Sequence, residues 1–344
     1  MSNQPSQTEM LTIDSQASEV SSAASKVSGH FSARSLFERY ALLGLLVVIF
    51  AVCFAFLPAF RSPNVLGAIV NSQAIVLMLA LTATLVLRTG DFDLSIAGVM
   101  VSTAAVVGVL SKAGVPWFAA VLVSLLVGLL SGAINALLVV KIGVDSFIAT
   151  IGMFTALTGL GYAITNSQIV TDVPDILSEF ARFKILGLPA TTWFAWLLVG
   201  VLWYLYEKTP LGRYMLFIGG NRSASALAGI NVGRIRTGTF LASGLIASLI
   251  GVFLAGNLGA IDPSIGGQYL LAPFAAVFLG ATAIYVGRFN SIGTLVALYL
   301  LAVGFTGLQL LGAPSWVNNV FNGVALMLAV ALAKIVGNRS TVSK

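Results

Sequence analysis

Residues 207–236 read EKTPLGRYMLFIGGNRSASALAGINVGRIR, the longest polar interruption in an otherwise apolar chain. The stretch carries Lys208, Arg213, Arg222, Arg234 and Arg236. Within it, residues 223–229 form an amphipathic helix candidate, entered through Gly219-Gly220-Asn221 and left through Ile230-Asn231-Val232. On either side the chain returns to apolar runs near the ~20 residues a helix needs to cross a bilayer, without the even alternation of a barrel strand. The loop thus interrupts a set of membrane helices, and its length and helix candidate predict contact with something outside the membrane.

Composition points the same way. The 344 residues are 58% hydrophobic and 9% charged, with mean hydropathy +0.98, whereas a soluble domain is roughly 25% charged. The class is all-α and polytopic, because a bilayer leaves only helices or closed barrels to satisfy the backbone. The net charge of +6 lies in short segments between apolar runs, which fits membrane orientation and not a nucleic-acid face. With one cysteine, Cys53, inside an apolar run and one histidine, His30, near the start, no disulfide framework, metal site or Cys/His pair can be assembled. Cys53 reads as a small packing residue.

Ten spans are predicted, at about 38–60, 69–88, 95–112, 116–140, 146–165, 192–206, 235–256, 271–287, 291–311 and 316–336. Residues 1–36, rich in Ser, Gln and Ala, read as a disordered tail without signal-peptide character. Residues 37–337 form the membrane domain, and 338–344 a second tail. With both termini in the cytoplasm, only Arg61, Lys112, Arg182 and Lys184 of the 18 basic residues are left outside. The other fourteen fall inside, as the positive-inside rule requires.

Residues 166–191, with Asp172, Asp175 and Glu179, are predicted to face outward, and 174–183 to form a surface helix. Together with the glycine-rich turn at 257–269 they are the candidates for meeting an external partner. Small residues at Gly128, Ser131 and Gly132, and at Gly244, Ala247, Ser248 and Gly251, predict close helix packing.

The second predicted span ends in Arg88-Thr89-Gly90-Asp91-Phe92-Asp93-Leu94-Ser95. Asp91 and Asp93 are two apart and share no helix face, which weakens an acid/base pair. The competing reading is a cap, in which Asp93 or Ser95 accepts from free amides at the next helix start and Arg88 balances the surplus charge. The spans themselves carry almost no ionisable residues, which disfavours a proton relay. They carry neutral hydrogen-bonding groups instead: Asn71, Ser72, Gln73, Asn135, Thr150, Thr155, Gln309, Asn318, Asn319 and Asn322. A pathway for a neutral polyhydroxylated solute needs such groups, and Asn71, Gln73, Asn135 and Thr150 are singled out for it; helix-to-helix hydrogen bonds are the alternative. No residue reads as catalytic, and the sequence holds no Gly-x-x-x-x-Gly-Lys-[Ser/Thr] phosphate loop.

The segment 211–232 resembles the cytoplasmic loop signature of the ribose-type permeases of bacterial ABC importers, in which Gly-Gly-Asn precedes an alanine-rich helix and Gly-Ile-Asn-Val. Gly90-Asp91-Phe92-Asp93-Leu94-Ser95 is similar to that family's Gly-Gly-Ile/Val-Asp-Leu-Ser, and residues 144–152 resemble its segment before the fifth helix. Asp91 departs from the pattern by replacing the second glycine. So does Gly280-Ala281-Thr282-Ala283-Ile284-Tyr285-Val286-Gly287, where the family has Gly-Gly-Thr-Ser-Leu-x-Gly-Gly.

The resemblance implies the ABC importer permease fold in a bacterial inner membrane, with a second permease copy or paralogue and surrounding lipid. It also implies a cytoplasmic ATPase that binds the ATP and Mg, since no cofactor is expected on this chain, and an extracytoplasmic sugar-binding protein. The loop residues expected to meet the ATPase are Arg213, Gly219, Gly220, Asn221, Arg222, Ala224, Ala226, Ala228, Gly229 and Asn231, with Ala224, Ala228 and Gly229 as the preferred contact. A secondary transporter or channel for a small neutral solute is the competing reading.

Overall fold

The computed structural model describes residues 33–314 and 316–342, so the expected tail at 1–36, with His30, lies almost wholly outside the described residues. From Arg39 onward the chain packs as one unit. The helices in order are α1 (Ala33–Phe56), α2 (Pro63–Ser72), α3 (Ala74–Leu87), α4 (Ser95–Lys112), α5 (Trp117–Ala136), α6 (Ser146–Thr165) and α7 (Asp175–Arg182). After the two-residue strands β1 (Lys184–Ile185) and β2 (Leu188–Pro189) come α8 (Ala190–Lys208), α9 (Pro210–Gly220), α10 (Arg222–Leu227), α11 (Val232–Leu258), α12 (Gln268–Gly280), α13 (Ser291–Leu310) and α14 (Trp316–Val342).

Among the described residues, eight helical stretches are long and apolar enough to cross a membrane. One is Pro63–Leu87, formed by α2 and α3 together, so the second span starts six residues before the predicted 69. Ser72 and Gln73 consequently sit at a break inside the span instead of at its entry. There Ser72 Oγ donates to Ile69 O at 3.3 Å, a local bond of the kind that bends helices. The two remaining predicted spans correspond to α8 and α12. α8 has 19 residues but is polar at both ends, with Thr191 and Thr192 near its start and Glu207 and Lys208 at its close.

The expected helix at 271–287 ends early. α12 has 13 residues, about 20 Å at 1.5 Å per residue, and Asn290 explains the stop. Its Nδ2 donates to Gly280 O, Ala283 O and Arg288 O at 3.2, 3.1 and 3.0 Å, and its Oδ1 accepts from Gly293 N at 2.6 Å. One side chain thereby satisfies carbonyls left free past the end of α12 and caps α13. At its other end the chain differs again from expectation: α14 continues to Val342, so 338–342 extend a helix.

α4 is the centre, with 72% of its span buried and every residue from Ser95 to Ala105 inside. α1 and α14 are peripheral, each 6% buried in their spans, and leave broad apolar faces. The two small-residue stripes meet each other. A Cβ on Gly128 would strike Gly244 O, one on Gly132 would strike Phe240 O, and one on Gly251 would strike Met100 O. α11 therefore lies backbone to backbone against α5 and α4, the close approach that small residues permit where lipid supplies no hydrophobic drive. Cys53 is buried beside Phe60, Ile69 and Val303, with its sulfur against Gly307.

Connecting segments gather into two groups. At one end Phe92 N donates to Ser146 Oγ, Arg88 Nη1 to Phe289 O and Ile284 N to Arg39 O. At the other, Val170 and Ile261 exchange both backbone bonds, and Arg182 Nε donates to Asn257 O at 3.1 Å. Segments assigned by charge to one side thus lie together. The predicted surface helix is α7, with Leu177 and Ala181 buried and Ile176 and Phe180 exposed.

Candidate functional site

The polar interruption at 207–236 folds as three helix starts, each with its own cap. Thr209 Oγ1 accepts from Gly212 N at 3.3 Å to open α9, with Pro210 in the first turn. Asn221 Oδ1 accepts from Ala224 N at 3.0 Å to open α10, and Asn231 Oδ1 from Arg234 N at 3.0 Å to open α11. These short polar side chains satisfy amides that a helix start leaves free. Gly229, at φ +80°, ends α10. Its N–H donates to Ala226 O and that of Ile230 to Ser225 O, at 3.0 and 3.1 Å, the left-handed stop that favours glycine. The helix expected at 223–229 is therefore Arg222–Leu227 with its stop signal attached.

Ala224, Ala226, Ala228 and Gly229 are exposed, as are Arg213 and Gly220, while Ser225 is buried. The strongest exposed apolar groups here are Leu227 at 91% and Phe217 at 59%, neither singled out by sequence. Tyr214, Phe217, Ala224 and Ala228 line a groove of about 570 Å³ between α9 and α10.

This loop is bound to the turn before α4. Gly219 lies against Arg88 and Gly90: a Cβ there would come 2.5 Å from Arg88 O, and Gly90 itself is at φ +77°. Asp91 is 2% exposed and accepts from Arg236 twice, Nε to Oδ2 at 2.7 Å and Nη2 to Oδ1 at 2.9 Å, and from Arg222 Nη2 at 2.8 Å. Arg222 also donates to Gly90 O at 2.8 Å. A forked guanidinium on a carboxylate fixes both distance and angle. Arg88 does not balance these acids. It turns away, 4.3 Å over the Tyr206 ring and 3.7 Å from Glu207, and burial lowers its pKa, opposed by Tyr206 and Glu207.

Asp93 is buried beside Asp91 but belongs to a neutral network. It accepts from Ser95 N at 3.1 Å, Ser95 Oγ at 2.5 Å and Ser243 Oγ at 2.6 Å. Burial pushes its carboxyl up, while the Ser243 and Ser95 bonds pull it down. Asn135 Nδ2 donates to Ser95 Oγ at 2.8 Å, and Thr150 Oγ1 accepts from Leu94 N at 3.1 Å. Asn135 and Thr150, singled out as pathway groups, thus hold the Gly90-to-Ser95 turn in place.

A second polar feature lies at the opposite end of the helices. Ser72, Gln73, Gln268, Tyr269, Gln309, Asn318 and Asn322 line a cavity of about 320 Å³ between the α2–α3 break, the start of α12, α13 and α14. Gln73, Gln309, Asn318 and Asn322 are among the neutral groups noted in the sequence, whereas Asn71 is exposed outside the cavity. In sequence, Gln268 and Tyr269 read only as part of an outward turn.

Residues 65–330 match the family described as "Branched-chain amino acid transport system / permease component". The ribose import permease protein of Escherichia coli (strain K12) is 34% identical over 305 residues, covering 88% of this chain and 95% of that one. That of Bacillus subtilis (strain 168) is 32% identical over 292 residues, 84% and 90% of the two chains. The autoinducer 2 import system permease protein of Photorhabdus luminescens is 29% identical over 260 residues, 74% and 78%. No solved structure matches the chain. The chain belongs to this family of transport-system permeases, a multi-pass membrane protein.

Proposed function

We propose that this chain is the membrane-spanning subunit of an ATP-driven importer that carries a ribose-like monosaccharide or related polyol across the bacterial cytoplasmic membrane. The names of the relatives support the substrate class. The observation that carries the mechanism is the seating of α10 and the end of α9 on the Gly90-to-Ser95 turn, through the Arg222–Asp91 pair and Gly219 respectively. A force on α10 reaches the turn that leads into the buried helix α4 through two side chains, Arg222 and Asp91. ATP, with Mg, binds a separate cytoplasmic ATPase, which covers Leu227 and Phe217 around the α9–α10 groove. It shifts the permease between inward and outward access only because its two states hold α10 differently.

In this reading the chain crosses ten times, counting α8 and the short α12, with both termini in the cytoplasm. An extracytoplasmic sugar-binding protein meets the end bearing α7 and the 257–269 turn, and a second permease copy and lipid cover the faces of α1 and α14. The test is D-ribose uptake into proteoliposomes holding the full-length permease, its ATPase and its binding protein. Uptake is expected to require ATP, and Leu227→Asp to lower it about tenfold or more, as for a central contact residue, with insertion unchanged. Uptake without ATP would make the chain a carrier or channel. ATP-driven uptake indifferent to Leu227→Asp would place the coupling surface elsewhere.

A further inference from the structure

The geometry points to a solute site in the permease itself: the cavity between the α2–α3 break, α12, α13 and α14 binds a neutral, polyhydroxylated solute about the size of one monosaccharide and rejects an amino-acid zwitterion. This rests on the import reading and adds the place and chemistry of recognition. The six groups that matter are Gln73, Gln268, Tyr269, Gln309, Asn318 and Asn322. Five are carboxamides, each offering two donors and an acceptor, and the sixth is a phenol that does both. Sugar hydroxyls are likewise donors and acceptors at once, so an amide-lined wall matches them in any orientation of the hydroxyl proton.

Few of these groups are used up internally. Among the described residues the polar lining makes two side-chain bonds within itself, Gln73 Nε2 to Ser72 Oγ at 3.3 Å and Asn322 Nδ2 to Asn318 Oδ1 at 2.8 Å. That contrasts with Asn135 and Thr150, whose bonds hold the backbone and side chains of the α4 turn. Apart from the hydroxyls of Ser72 and Thr306, the rest of the lining is apolar, Val76, Leu298 and Phe305 among it, which suits the C–H faces of a sugar ring.

Charge and size set the class. Among the described residues no Asp, Glu, Lys or Arg lines the cavity, so a bound carboxylate and ammonium would be desolvated without partners, at a cost a neutral hydroxyl does not meet. The family description names branched-chain amino acids, and this lining separates the present chain from that substrate. A volume of about 320 Å³ is the space of about ten waters at ~30 Å³ each, enough for one sugar ring.

The test is saturation-transfer-difference NMR on the full-length permease assembled with its ATPase in lipid nanodiscs, without the binding protein. The probes are D-ribose, D-xylose, myo-inositol and L-leucine at millimolar concentration. At least one of the three polyols is expected to give a signal and L-leucine none. The Gln309→Leu, Asn322→Leu double variant should weaken polyol binding about tenfold or more, as loss of two hydrogen-bonding side chains predicts. Asn319→Leu, on α14 but outside the lining, should retain it and serves as the check on folding. No signal from any polyol, an equal signal from L-leucine, or a signal indifferent to the double variant would each overturn the site. ATP-driven uptake by the same complex reconstituted in proteoliposomes, with binding protein added, is read separately: its loss in wild type strikes the import reading, whereas its persistence without NMR binding strikes only this site.

Discussion

At the end of the bundle that carries α9 and α10, the two buried carboxylates are fully engaged, while Arg88 Nε, Asn135 Oδ1 and Ser291 Oγ are buried without a hydrogen-bond partner among the described residues. Asp91 takes three guanidinium bonds, and Asp93 takes three bonds from two serines. At the opposite end, Gln268, Tyr269 and Gln309 face a cavity of about 320 Å³. The first arrangement uses charge to fix a geometry, because a forked ion pair buried away from water tolerates little displacement. The second leaves neutral groups open to exchange partners. In the proposed import cycle the first end transmits force from the ATPase and the second accepts and releases solute.

The contrast is most sharply tested by removing its charged centre. Asp91→Ala leaves Arg236, 9% exposed, without a counter-ion. It is expected to cost about 3–5 kcal/mol, read by denaturant or thermal unfolding of the solubilised protein. Adding Arg236→Met should recover most of that loss. A double variant as unstable as the single one would show that the pair is not what holds the turn. Arg222→Ala, whose side chain is 43% exposed, should cost below about 1 kcal/mol.

Accessibility gives the next effect in size. In a cysteine-free background, Leu227→Cys should react with a membrane-impermeant maleimide from the cytoplasmic side about tenfold or more faster than Ser225→Cys, because Ser225 is 4% exposed and reacts only on local opening. Equal rates would mean that α10 does not rest on the turn, and labelling from outside would reverse the orientation. The smallest effect belongs to the other end. Gln309→Leu should shift stability by no more than about 0.5 kcal/mol, since the amide holds no described partner. A cost comparable to that of Asp91→Ala would erase the difference between the two regions.

Much of the loop end can be read from sequence because its signals are local. Asn221, Asn231 and Gly229 act on amides and carbonyls within a few residues, so the α10 helix was expected within about two residues of where it lies. The pairing of Asp91 with Arg222 and Arg236 spans 131 and 145 residues, and nothing near Asp91 announces it. Arg88, adjacent and of the right charge, was the natural local candidate and points elsewhere. Asn135 and Thr150 were indistinguishable in sequence from Gln309 and Asn322, since all four are neutral polar groups inside apolar runs. The stop of α12 at Gly280 was equally hidden, because it depends on one asparagine folding back over ten residues.

By itself the sequence determined that the chain is a helical membrane protein, which segments share a side, and where the short helices of the 207–236 loop begin and end. Composition, charge asymmetry and capping act through the bilayer or within a turn or two of chain. Only the tertiary structure decided which polar residues are consumed and which are open. Whether a buried amide or carboxylate finds a partner depends on what a distant helix brings alongside it, and in this protein that separates the clamp on Asp91 from the cavity around Gln309.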